Sequence, residues 1–220
     1  MNKQTDKILQ TASSTSLSTV VGGSDVICSL ATQPGGAIGV IRVSGEEAIE
    51  ITDKVFHSVR GRHLQNAKGN TLHYGEILDK EENTIDDVLV SVFRAPHSYT
   101  GEDSTEISCH GSAYILNQVV KALIDAGCRQ AQPGEYTQRA YLNGKMDLSQ
   151  AEAVADLISA SNRATHKVAL SQLKGHFSSE LSILREQLLK MTSLLELELD
   201  FSDHEELEFA DRTELKALAE

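Results

Sequence analysis

Three Gly-containing loops hold all 3 prolines of the chain: Pro34-Gly35-Gly36, Pro96-His97-Ser98-Tyr99-Thr100-Gly101-Glu102 and Pro133-Gly134-Glu135-Tyr136. Proline fixes φ and glycine admits positive φ, so turn chemistry explains each loop taken singly. The second and third are long and polar, however, and charge gathers beside them. Glu102, Asp103, Glu106 and Cys109-His110-Gly111 follow the one; Arg139 and Asn143-Gly144-Lys145 follow the other. On a strand beginning near Ser104, alternation puts Glu106 and Ser108 on one face and Thr105, Ile107 and Cys109 on the other. If the apolar set faces a core, Glu106 faces outward. Arg42 is a lone cation in the apolar run Ile38 to Val43. Such an arginine pairs with a local carboxylate, snorkels at a strand end, or points into a cleft that takes an anion. Cys109 and His110 make no thiolate–imidazole couple, because strand neighbours point to opposite faces. They read as a core cysteine and a loop histidine. The 8 histidines show no ligand spacing with supporting cysteines, and the 3 cysteines contain no C-x-x-C. Neither a structural zinc nor a disulfide framework is indicated, and a reducing cytoplasm is the expected compartment.

The scaffold for these side chains is legible between Asp25 and about Gly127. Val26–Ala31 and Ala37–Val43 read as strands joined by the Pro34 turn. Ala48, Ile51 and Val55 recur at helical spacing in Glu46–Phe56, which predicts an amphipathic helix on those strands. Strands follow at Thr71–Leu78, Asp87–Phe93 and Ser104–Cys109, then a helix over Ser112–Ala126 stopped by Gly127. Strands both adjacent and separated by helices predict an α+β fold with a mixed sheet rather than a doubly wound one.

After Leu148 the pattern changes. Ser149-Gln150-Ala151-Glu152 has the form of a capping box that starts a helix. Leu170, Leu173, Phe177, Leu181, Leu184, Leu188, Met191 and Leu195 recur at three or four residues, which predicts one long helix from about Asn162 to Leu199, about 55 Å at 1.5 Å per residue. Such a rod needs other helices, or another copy of itself, to bury its stripe. The expected organisation is a disordered Ser/Thr-rich extension over 1–24, a domain over 25–148 and a partial helical domain over 149–220. The extension lacks Arg and contains Asp6, which weighs against an organellar transit peptide, and it has no apolar region of the secretory kind.

The formal net charge is −12. Nine acids against one base between Glu196 and Glu214 supply most of it, leaving the body of the chain near neutral. A surface that grips phosphates throughout is thereby ruled out, but local nucleic-acid contact is not. No stretch has the roughly 18 apolar residues that span a bilayer.

Three strings carry a family resemblance: Gly36-Ala37-Ile38-Gly39-Val40-Ile41-Arg42-Val43-Ser44-Gly45; Pro96 to Glu106 with Cys109-His110-Gly111; and the long run from Pro133-Gly134-Glu135-Tyr136-Thr137-Gln138-Arg139 through Asn143-Gly144-Lys145-Met146-Asp147-Leu148 to Ala153. In colinear order from Asp25 to Glu206, the chain resembles the N-terminal part of the MnmE (TrmE) family of tRNA-modifying GTPases. The resemblance implies an N-terminal domain similar to the folate-binding part of glycine-cleavage aminomethyltransferases. It implies a helical domain into which a Ras-like GTPase domain is inserted, where GTP, potassium and magnesium would be held. It further implies a homodimer, a flavoprotein partner, MnmG, and installation of an aminomethyl or carboxymethylaminomethyl group on C5 of the tRNA wobble uridine. The one-carbon carrier would be 5-formyl-tetrahydrofolate or a related reduced folate, and its contacts fall on Arg42, Glu106 and Lys145.

The chain departs from the whole-family pattern in two ways. It holds no G-x-x-x-x-G-K-[ST] phosphate loop and no Cys-x-Gly-Lys. The expectation is therefore a folate domain plus a first helical segment, with no catalytic residue of its own. A non-catalytic dimerisation scaffold with a vestigial pocket is the rival; a stand-alone aminomethyltransferase is a weaker one.

Overall fold

The computed structural model describes residues 25–59 and 61–200, in two units that part between Lys145 and Met146. The extension expected over 1–24 and most of the acidic run after Glu196 lie outside the described residues.

In the first unit a seven-stranded sheet is built from β1 (Ile27–Leu30), β2 (Ile38–Ser44), β3 (Phe56–Ser58), β4 (Thr71–Leu78), β5 (Thr84–Phe93), β6 (Ser104–His110) and β7 (Arg129–Gln130). The spatial order is β3-β4-β5-β6-β2-β1-β7. Every pairing is antiparallel except β1 with β7. Three helices belong to this unit: α1 (Ala48–Val55), α2 (Ala113–Asp125) and α3 (Glu135–Leu142). The α+β, mixed-sheet expectation therefore holds.

The core forms where α1 and α2 lay Ala48, Ile51, Val55, Leu116, Val119 and Leu123 against Cys28, Ile41, Val43, Val90, Val92 and Ile107. β-Branched residues on alternate positions of β5 supply one apolar face, so the opposite face is left for polar groups. Among the described residues no buried side-chain polar atom lacks a hydrogen-bond partner. The strands β3 and β7 and the helix α3 had no separate expectation, and Phe56 opens β3 rather than ending the helix before it.

The second unit holds α4 (Leu148–Ser159), α5 (Arg163–Leu173) and α6 (His176–Asp200). Two expectations need correction here. The capping box is Asp147 with Gln150, not Ser149 with Glu152: the Asp147 carboxylate accepts from the Gln150 amide at 2.8 Å, and the Gln150 side chain accepts from the Asp147 amide at 2.9 Å. Aspartate caps as well as serine, and it stands at the first non-helical position, so the helix begins earlier. The single long helix is also broken, because Gly175 takes φ +77° between α5 and α6. That left-handed conformation ends a helix, and the continuous apolar spacing hid it.

Candidate functional site

Arg42 on β2 and Glu106 on β6 are direct cross-strand partners. They stand on the sheet face opposite the core, as the alternation Thr105, Ile107 and Cys109 inward requires. Glu106 Oε1 accepts from Arg42 Nε at 3.0 Å and from the terminal guanidinium nitrogen at 2.7 Å. Both bonds end on one oxygen; among the described residues Oε2 receives none. The two side chains keep 29% and 30% of their surface exposed, so the pair is reachable from solvent.

Two tyrosines flank the guanidinium. Its central carbon lies 5.2 Å from the Tyr99 ring centroid and 5.6 Å from that of Tyr136, within the range of cation–π attraction. Tyr136 sits on α3 and donates its hydroxyl to the Arg42 carbonyl at 2.7 Å. Burial raises the Tyr136 phenol to about 12, so it stays a donor across the ordinary pH range. Tyr99 is held by the loop after β5 and shares a hydroxyl contact of 2.9 Å with Thr137. Sequence reading named neither tyrosine as a site residue. The available signal was one aromatic in each of the two long Pro/Gly loops.

The loop carrying Tyr99 is pinned by buried polar contacts. Ser44 Oγ meets Thr100 Oγ1 at 2.6 Å and donates to Glu102 at 2.9 Å; Asn143 donates to the Thr100 carbonyl at 2.8 Å. Gly101 takes φ +82°, and a Cβ there would meet the Asn143 Cβ at 3.2 Å and the Lys145 stem at 3.3 Å. Lys145 therefore lies along this loop, its Nζ donating to the Pro96 carbonyl at 2.9 Å. All three expected site residues thus touch one assembly: Arg42 and Glu106 directly, and Lys145 through the loop that carries Tyr99. Arg42 is paired with Glu106 itself, the first of the readings its sequence position left open.

A charge network anchors α3. Arg139, 9% exposed, donates to Asp25, Glu102 and Glu135, and Arg129 donates to Asp25 and Glu135. Burial opposes the Arg139 charge, but the three carboxylates outweigh it and hold the guanidinium more firmly protonated than usual. The Arg129 hydrogen bonds pull the Glu135 carboxyl down to about 2. Cys109 is buried, and desolvation pushes its thiol up to about 11, which removes it from nucleophilic chemistry. His110 is exposed and pairs with Asp86 instead.

Comparison with known proteins joins these features to a family. A family model described as "GTP-binding protein TrmE N-terminus" matches residues 26–145, more than half of the chain, and one described as "MnmE helical domain" matches residues 148–220. The chain belongs to the MnmE (TrmE) family. A tRNA modification GTPase MnmE of Bacteroides fragilis is 65% identical over 197 residues, which cover 89% of this chain and 42% of the relative. That of Parabacteroides distasonis is 60% identical over 196 residues, 88% of this chain and 42% of the relative. For Flavobacterium johnsoniae the figures are 56% over 195 residues, 88% and 41%. The chain therefore spans about two fifths of the length of these curated relatives, the N-terminal and helical parts of the MnmE pattern.

Proposed function

We propose that this chain is the N-terminal part of a tRNA-modifying GTPase. It binds a reduced folate of the 5-formyl-tetrahydrofolate type, forms a homodimer, and works in the cytoplasm with the MnmG flavoprotein to modify C5 of the tRNA wobble uridine. GTP, with potassium and magnesium, belongs to the inserted GTPase domain of the family. The relatives' name, tRNA modification GTPase MnmE, supports the general reading. Among the described residues no helix is long and apolar enough to cross a membrane.

The observation that carries the folate reading is the Arg42–Glu106 pair, outward-facing, flanked by tyrosines and bare at Oε2. A reduced pterin presents a ring N–H beside an exocyclic amine, and an ionised carboxylate accepts both. Oε2 is available for one of these bonds; the second requires Arg42 to release one of its two bonds on Oε1. Tyr99 and Tyr136 offer aromatic edges and faces to a flat heterocycle. Lys145, at the rim of the same loop, suits the anionic glutamate tail. The folate supplies a one-carbon unit, and these residues hold and orient it.

Titration calorimetry with 5-formyl-tetrahydrofolate tests the reading. Glu106→Gln keeps the volume but turns one acceptor into a donor, and should cost about 2–3 kcal/mol, roughly 30- to 150-fold in affinity. Arg42→Ala and Lys145→Ala should weaken folates with a glutamate tail more than the bare pterin. Equal binding by the parent and Glu106→Gln, both folded, would overturn the site. The scaffold reading, with a vestigial pocket, has one observation in its favour: Arg42 and Glu106 already neutralise each other without a ligand. Light scattering at twice 23.9 kDa with no folate binding would select it.

A further inference from the structure

A second surface stands at the β3 edge of the sheet, away from the Arg42–Glu106 pair. From Phe56 to Gly75 the chain carries Arg60, Arg62 and Lys68 with His57, His63 and His73, and no Asp or Glu. At the chain's own frequency of 32 acids in 220 residues, such a stretch would hold about three. Arg60 lies outside the described residues; Arg62, Lys68, His63 and His73 converge. Two concavities of 590 and 470 Å³ share Arg62, Thr71 and His73. The smaller adds His63, Asn66 and Lys68, and the larger adds Leu72 and Tyr74.

The backbone here is braced rather than loose. Arg94 donates to the carbonyls of Gln65 and Ala67 and is paired with Asp103. Asp53 takes His63 on one oxygen and the Leu64 amide on the other. These two carboxylates are thus already engaged, whereas Arg62 and Lys68 are exposed and form no ion pair among the described residues. β3 pairs only with Gly75, Glu76 and Ile77, so along Thr71 to Tyr74 the side of β4 turned away from β5 has no partner strand among the described residues. Tyr74 is 54% exposed beside them.

We propose that this surface docks the sugar–phosphate backbone of RNA. Cations without an ion pair, a strand edge without a partner strand, and an exposed aromatic side chain are elements that hold a phosphate chain and stack an unpaired base. In a protein of net charge −12, a local acid-free stretch is where a polyanion meets least repulsion. The choice of RNA over another polyanion rests on the proposed function; the cationic surface itself does not.

The test uses the full 220-residue chain, a fluorescein-labelled unmodified tRNA transcript and fluorescence anisotropy between 50 and 200 mM salt. The parent is expected to bind in the micromolar range, with log affinity falling against log salt with a slope of about −1.5 to −3. Arg62→Glu with Lys68→Glu should lower affinity at least about tenfold and flatten that slope. Lys121→Glu with Lys167→Glu makes the same change of net charge at exposed positions elsewhere, and should alter affinity less than about threefold. No anisotropy change with the folded parent at low salt, or equal losses in the two double variants, overturns the proposal. The first of these results would leave the cations to an acidic protein partner. Folate titration of Arg62→Glu with Lys68→Glu should match the parent. A parent that loses salt-dependent RNA binding on these two substitutions but binds no folate supports this surface while refuting the folate site.

Discussion

The two units solve the burial problem differently. In the sheet unit Ile41, Val90, Val92, Ile107, Leu116 and Leu123 are all fully buried by other parts of the same unit. In the helical unit only Ala153 and Ala169 are buried among the described apolar residues, while Phe177, Leu181, Leu184, Leu188 and Leu195 stay 45–52% exposed. A sheet with helices on one face closes a core locally; three sequential helices with one apolar stripe do not. The first unit closes a core of its own, whereas the second presents an apolar face that, on the proposed function, further helices of the family's helical domain or a second copy would cover.

Substitutions sharpen that contrast. Ile107→Ala removes a fully buried side chain from the central sheet and should cost about 2–5 kcal/mol in urea unfolding of the first unit. A smaller effect sits on the acid side. Glu135, ordinarily near 4.5, is held at about 2 by Arg129, so its contribution is fully present above pH 4.5 and is lost as the pH falls toward 2. The melting temperature of the parent should therefore drop more steeply between pH 5 and 3 than that of Glu135→Gln; parallel curves would show that the pair adds no stability. Asp147→Ala deletes the cap of α4 and should cost about 1 kcal/mol of stability in urea unfolding followed by circular dichroism. Leu184→Ala, half exposed, should change stability by less than about 0.5 kcal/mol. A larger, concentration-dependent loss would mean that another copy already covers the stripe. The smallest effect is none at all: without a phosphate loop this chain should show no saturable binding of a labelled GTP analogue.

What the sequence revealed follows the same division. Alternation in β5 and β6 was legible because one face is buried and the other is not, so Glu106 could be placed outward from its neighbours alone. Its pairing with Arg42 was not legible, since a register between strands 64 residues apart leaves no local trace. Tyr136 escaped for the same reason: its hydroxyl reaches a carbonyl 94 residues away. The strands β3 and β7, of 3 and 2 residues, are too short to show a period. In the helical unit the apolar spacing ran unbroken through Lys174 and Gly175, and only the glycine signalled the end of α5.

The sheet order also bears on how the chain is made. β2 occupies a central place between β1 and β6, and Ile38 is registered with His110. A ribosome adding about 5–20 residues per second needs about 4 to 15 seconds to deliver His110 after Ile38. During that interval the β1–β2 hairpin has emerged with one long side unpaired, an invitation to wrong partners. Nascent-chain chaperones should therefore engage this protein early, and release it only when the segment beyond β6 has cleared the exit tunnel.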